Sequence, residues 1–181
     1  MKLLKPGHVR VFVAAGSNVE PEKNLAAACA QIAHTWPDTV FSRAYRNAAV
    51  GFEGPDFINL VVGFSAAQPL HSVIEKLRGI ETNCGRPRYA PKWASRTMDL
   101  DVLLFGDLVE KTADYTLPRP DLLKRPYMLG PLAEIAPDVV HPVAGRTIEA
   151  LWNEFDRDGH VMSPVDIMVP GEESGENGES R

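Results

Sequence analysis

Asp99 and Asp101 stand two residues apart in a segment, 98–105, of strand composition. Side chains alternate along a strand, so both carboxylates leave one face, about 7 Å apart at the backbone. Leu100, Val102 and Leu104 are expected to leave by the other face, into the core. Carboxylates held side by side repel each other and call for a cation. Mg²⁺ suits them, since it takes one or two carboxylates and completes its shell with water and substrate phosphates. Read alone, the pair is as well explained by two solvated aspartates at a strand end. The preceding residues shift that balance. Arg78, Arg86, Arg88, Lys92 and Arg96 lie between 78 and 96 against Glu81 alone. Arginine forks grip phosphate oxygens bidentately. A cation-rich loop running into a carboxylate pair fits polyphosphate chemistry, with metal ions bridging the chain and arginines stabilising charge on the group in transit. The chain has neither GxxxxGK[ST] nor a kinase-type Gly-rich loop, so a nucleotide bound here needs another scaffold.

Three further groups point the same way. Trp93, inside the basic loop, can stack on a base or anchor the loop. Gly85, Pro87, Pro91 and Ala94 around it suit a loop that closes over substrate. Phe57 and Asn59 share a strand face, where an aromatic and an amide can stack on and hydrogen-bond a flat heterocycle; the alternative is a core Phe beside a capping Asn. Leu117-Pro118-Arg119-Pro120 and Lys124-Arg125-Pro126-Tyr127 add cations and a second aromatic. The five histidines show no HxxxH or HExxH spacing. Cys29 and Cys84 form no CxxC and read as free thiols.

The elements that must position these residues follow from patterning. The run 9–15 is β-branched and nearly all apolar, a buried central strand. Residues 21–34 place Leu25, Ala28, Cys29 and Ile32 on one helical stripe. Strands are predicted at 39–45 and 57–64, and Pro69 opens a helix striped by Leu70, Val73, Ile74, Leu77 and Ile80. Residues 84–95 are loop and 98–105 a strand. The order strand-helix-strand-strand-helix-strand is the split βαβ pattern of a ferredoxin-like α+β sandwich. A Pro-rich C-terminal extension adds short helices near 128–136 and 147–155.

Composition sets the outer bounds. The 181 residues carry 24 acidic and 19 basic side chains, a formal net charge of −5. That length suits one domain, here 1–162, followed by an acidic, disordered tail over 163–181. A mildly acidic chain is a poor nucleic-acid coat. No run of 18 apolar residues exists, and Met1 to His8 lack the apolar core of a secretory signal. A cytoplasmic monomer with small-molecule substrates and no nucleic-acid or membrane partner is expected.

The residues resemble the 6-hydroxymethyl-7,8-dihydropterin pyrophosphokinases of folate biosynthesis. The motif is Trp93-x-x-Arg96-Thr97-x-Asp99-Leu100-Asp101, followed by Leu104-Phe105-Gly106. Ala15-Gly16-Ser17-Asn18, Asn24-Leu25, Ser42-x-x-Tyr45, Phe57-x-Asn59, Ile80-Glu81 with Gly85-Arg86, Leu117-Pro118 and Leu132-x-Glu134-Ile135-Ala136-Pro137 extend the likeness over roughly 9–155. The resemblance implies the ferredoxin-like fold and transfer of pyrophosphate from MgATP to the pterin, releasing AMP. It implies that Asp99 and Asp101 hold two Mg²⁺ ions. Arg86 and Arg96 would assist transfer, and Arg88 and Trp93 belong to the loop over ATP. Glu81, Val102, Thr116 and Arg125 fall at nucleotide positions. Asn59 would bind the pterin edge, with Phe57 and Tyr127 sandwiching its ring.

The chain also departs from that pattern. The family's Thr-x-Pro run, where backbone groups meet the pterin, is Asn47-Ala48-Ala49-Val50, which leaves Ala48 and Val50 as the backbone contacts. The family's His after Leu117-Pro118 is Arg119, a cation that can still meet the ATP phosphates. The Gly-Pro between Trp and Arg is Ala94-Ser95. Two alternatives follow: a divergent paralogue acting on a related pterin or with weak activity, and, remotely, a non-enzymatic ferredoxin-like RNA-binding module. The strands lack the aromatic pattern of the latter.

Overall fold

A computed structural model describes residues 3–85 and 98–171. Strand β1 (Val9–Ser17) lies at the centre of an antiparallel sheet. Its neighbours are β4 (Phe57–Ala66) on one side and β5 (Asp99–Phe105) on the other. Beyond β4 come β2 (Val40–Phe41) and β3 (Ala44–Asn47), and β8 (Ser163–Val165) closes that side. Glu110–Lys111 (β6) and Thr116–Leu117 (β7) form a separate two-stranded sheet. Helices α1 (Pro21–Thr35) and α2 (Leu70–Asn83) cover one face, while α3 (Pro126–Ile135) and α4 (Ile148–Glu154) lie on the other side. Among the described residues no helix is long and apolar enough to cross a membrane.

Period-2 alternation sorts each strand between two cores. Val11, Val13 and Ala15 of β1 with Ile58, Leu60 and Val62 of β4 meet the buried stripes of α1 and α2. Phe12 and Ala14 with Val61 meet Leu129 and Leu132 of α3. Each large apolar side chain buried this way contributes about 1.5–3 kcal/mol. Cys29 is buried in the first core, Cys84 is half-buried at its edge, and both thiols are free.

Three details differ from the sequence expectation. The register between β1 and β5 slips at Phe12/Val13, where a bulge inserts one residue into β5. Parity flips there, so Leu104 packs with Leu103 in the α3 core, on the face of the aspartates, whereas Leu100 and Val102 pack in the other. The single strand expected over 39–45 is two. Ser42 N donates to the Val61 carbonyl at 2.9 Å, but Val61 N bonds the Ser42 hydroxyl at 2.8 Å instead of a backbone oxygen. The ladder breaks and resumes one residue out of step. Lastly, Ser163–Val165, placed by sequence in the tail, pairs with β3, and Val169 is buried in the α1/α2 core. Residues 172–181 lie outside the described residues.

Candidate active site

The site lies at the end of the sheet where β1 runs into Gly16, Ser17 and Asn18. Register places Asp99, Gly16, Asn59 and Tyr45 in one row across β5, β1, β4 and β3. Asp101 sits two rows further along, opposite Ala14. Both aspartates are half-buried on the α3 face, as the i, i+2 spacing predicts.

A first cleft opens over this face. Asn47, Val50, Phe52, Phe57, Asn59 and Tyr127 line it, together with Asp99, Asp101, Arg119 and Asp121. Phe52 meets Phe57 edge to face, centroids 6.2 Å apart, bracing the ring that faces the cleft. Asn59 is only 8% exposed and donates from Nδ2 to Asn47 Oδ1 at 2.5 Å. Burial, more than any neighbouring charge, raises the Tyr127 phenol above its ordinary pKa. Tyr45 is pushed up to about 12, first by burial and then by its hydrogen bond to Glu134. Glu134 also accepts from Arg43 N at 3.0 Å, so one carboxylate ties α3 to β3.

A second cleft wraps the outer edge of β5. Arg78, Glu81, Val102, Asp114, Tyr115 and Thr116 line it, again with Asp99, Asp101 and Arg119. Glu81 Oε1 accepts the Leu100 N–H at 2.8 Å, satisfying an edge donor between the two aspartates. Arg119 N donates to the Leu103 carbonyl at 3.0 Å, holding the segment after β7 along the same edge. Its guanidinium comes back over the carboxylates, with Nη1 3.3 Å from Asp101 Oδ1 and Nη2 3.7 Å from Asp121 Oδ2. Arg119 Nε is buried with no hydrogen-bond partner among the described residues.

Most of the expected residues within the described chain converge. Phe57, Asn59, Val50 and Tyr127 share the first cleft, Glu81, Val102 and Thr116 the second, and Asp99, Asp101 and Arg119 belong to both. Ala48 is exposed and lines neither, its carbonyl accepting from Asn47 Nδ2 at 3.1 Å. Arg125 also lines neither; it is the N-cap of α3, where its charge acts on the Tyr127 phenol. Arg86, Arg88, Trp93 and Arg96 lie outside the described residues. Sequence reasoning missed Phe52 and Asp121 and passed over the Asn47 side chain. Among the described residues no third His, Cys, Asp or Glu joins the aspartates in a metal-binding group. Two carboxylates facing two clefts nevertheless match Mg²⁺, which keeps open positions for water and substrate phosphates.

The family described as 7,8-dihydro-6-hydroxymethylpterin-pyrophosphokinase (HPPK) matches residues 12–137. A relative from Synechocystis sp., named 2-amino-4-hydroxy-6-hydroxymethyldihydropteridine pyrophosphokinase, is 39% identical over 173 residues, 88% of each chain. One of the same name from Haemophilus influenzae is 32% identical over 139 residues, 74% of this chain and 86% of its own. The crystal structure of wild-type Plasmodium falciparum HPPK-DHPS with STZ-DHP superposes on 81% of this chain with a TM-score of 0.62 at 14% identity, a likeness of fold. The superposed part is 41% of that longer chain. The segment matched by the family runs from β1 to just past α3 and so takes in the strands that carry both clefts: the chain belongs to the 7,8-dihydro-6-hydroxymethylpterin-pyrophosphokinase family.

Proposed function

We propose that this chain transfers the β,γ-pyrophosphoryl group of ATP to the hydroxymethyl oxygen of 6-hydroxymethyl-7,8-dihydropterin, releasing AMP. The observation that carries this reading is the meeting of two clefts at Asp99, Asp101 and Arg119. A transfer between two bound molecules needs their reacting ends brought together, and holding them so replaces an encounter in solution. The pterin lies in the first cleft, between Phe57 and Tyr127, with its edge on Asn59. The nucleotide lies in the second, along Glu81, Val102 and Thr116, so that its phosphates reach the shared residues.

The pterin hydroxyl oxygen bonds to the β-phosphorus. The bond from that phosphorus to the α,β-bridging oxygen breaks, and the electron pair leaves on AMP as the hydroxyl proton is lost. Asp99 and Asp101 would hold two Mg²⁺ ions, which would supply neutralisation of the phosphate charge. Arg119 presents its Nη donors beside the carboxylates, and a guanidinium grips phosphate oxygens. Arg86 and Arg96 act on the group in transit, and Arg88 and Trp93 cover the nucleotide.

The strand order across β5, β1, β4 and β2/β3 supports the ferredoxin-like description, with α3, α4 and β8 as additions. The pairing of β8 and the burial of Val169 support one domain reaching at least Val169.

Incubation with MgATP and 6-hydroxymethyl-7,8-dihydropterin, with the nucleotide products resolved, tests the assignment. AMP is expected only when pterin is present, and is lost in Asp99→Ala and Asp101→Ala. ADP formed without pterin overturns it. Inactivity with tight pterin binding would favour the divergent paralogue, for which the Asn47 side chain in the first cleft is the supporting observation.

A further inference from the structure

We propose that Asn47 is a positioning residue that fixes which way the Asn59 amide faces the first cleft. β3 and β4 pair antiparallel with Tyr45 opposite Asn59 and Asn47 opposite Phe57. Asn47 is therefore the diagonal neighbour of Asn59 on the same face, close enough for two side chains to meet. The polarity of the contact is set from outside the pair. The Ala48 carbonyl can only accept, so the Asn47 atom 3.1 Å from it is the donor, Nδ2. Asn47 Oδ1 is then the atom turned to Asn59, and it can only accept. It takes the Asn59 Nδ2 proton at 2.5 Å. The Asn59 oxygen consequently faces β1, where Gly16 leaves it room: a Cβ on Gly16 would lie 2.4 Å from Asn59 Oδ1.

An amide has two faces of opposite hydrogen-bonding sense, and Asn59 is too buried for water to correct a wrong one. The carbonyl of Ala48 thus decides, through Asn47, that Asn59 offers the cleft its Oδ1 acceptor and its second N–H in a fixed order. This rests on the reading of the first cleft as the pterin site. On that reading, the heterocycle edge accepted here has a donor opposite Oδ1 and an acceptor opposite the N–H. An edge with the two reversed leaves buried polar groups unpaired and is rejected.

The test is a fluorescence titration of the full chain with 6-hydroxymethylpterin in the presence of a non-hydrolysable ATP analogue, beside steady-state kinetics. Asn47→Ala is expected to weaken pterin binding and raise its KM about three- to tenfold, the scale of one hydrogen bond, with kcat changed less than about twofold. Asn47→Asp keeps the acceptor toward Asn59 but loses the donor to the Ala48 carbonyl, and is expected to recover only part of that loss. In an Asn59→Ala background, adding Asn47→Ala is expected to change binding less than about twofold, because the partner through which it acts is gone. An equal loss in both backgrounds overturns the proposal alone. Failure of the wild type to bind the pterin, or wild-type binding by Asn59→Ala, overturns the cleft assignment and the proposal with it.

Discussion

Arg119 Nη1 lies 3.3 Å from Asp101 Oδ1, and both side chains face the two clefts at once. The pair is about one-third and one-quarter exposed. An ion pair so open to solvent contributes little to stability. Its consequence is positional: a guanidinium is kept over the carboxylates where phosphate is to arrive, and it is a fork rather than a point charge.

Arg119→Ala is therefore expected to spare the fold and damage the reaction. The thermal midpoint should move by no more than a few degrees, while kcat/KM for ATP falls about a hundredfold, the usual scale for one charge-stabilising donor. Arg119→Lys recovers only part of that, since an ammonium cannot reproduce the bidentate geometry. Melting curves and steady-state kinetics on the three proteins decide it. Equal losses in stability and activity would show that the residue holds the structure instead.

Gly16→Ala separates space from conformation. Gly16 is not among the glycines with positive φ, so alanine suits its backbone. The added Cβ, however, would fall 2.4 Å from Asn59 Oδ1, and with Asn47 already 2.5 Å away on the other side the amide must leave its place between them. Pterin affinity should drop more than about tenfold, beyond one lost hydrogen bond, because the amide is displaced and left unpaired. ATP-analogue binding, measured in the same titration format, should change little.

How far the site was legible depended on whether a residue's role is local. The shared face of Asp99 and Asp101 follows from a two-residue period and needs no knowledge of neighbours. Leu104 fails the same rule because the bulge before it is a property of the β1–β5 pair. Ser42 breaks a strand through a hydroxyl bond to Val61, nineteen positions away, which composition does not disclose. Asn47 stood out only as a departure from a family run read for its backbone. Its side-chain role appears once β3 is laid diagonally against β4. Arg125 carried a phosphate-seeking charge but lines neither cleft, because Pro126 starts α3 and leaves the arginine at its N-cap position.

Glu81 shows the same dependence on sheet order. Only because β5 is an edge strand does the Leu100 N–H need a partner outside the sheet, and Glu81 Oε1 supplies it at 2.8 Å. Glu81→Ala is expected to cost about 1–3 kcal/mol in urea unfolding, the penalty for an unsatisfied backbone donor. Glu81→Gln keeps an acceptor oxygen and should cost less than half as much. Since Leu100 separates the two aspartates, the alanine variant should also need more Mg²⁺ for half-maximal activity. A full-strength Mg²⁺ response in a destabilised Glu81→Ala would confine the residue to the fold.

His141 makes stability depend on acid. It is 2% exposed, and its Nδ1 accepts the Val143 and Ala144 N–H groups at 3.2 and 3.0 Å, so the folded turn requires the neutral ring. Burial lowers its pKa below the usual histidine value. The unfolded chain therefore takes up the proton first as pH falls. Its contribution is present in full above about pH 6.5, the ordinary histidine value, and is lost as pH drops below it toward the lower folded value. His141→Asn keeps an acceptor oxygen for the same two donors but has no ring to protonate. Unfolding free energies of both proteins between pH 7.5 and 5, from urea titrations, should converge at the acid end as the wild type falls more steeply. Parallel curves would show that the ring does not titrate between the two states in this range.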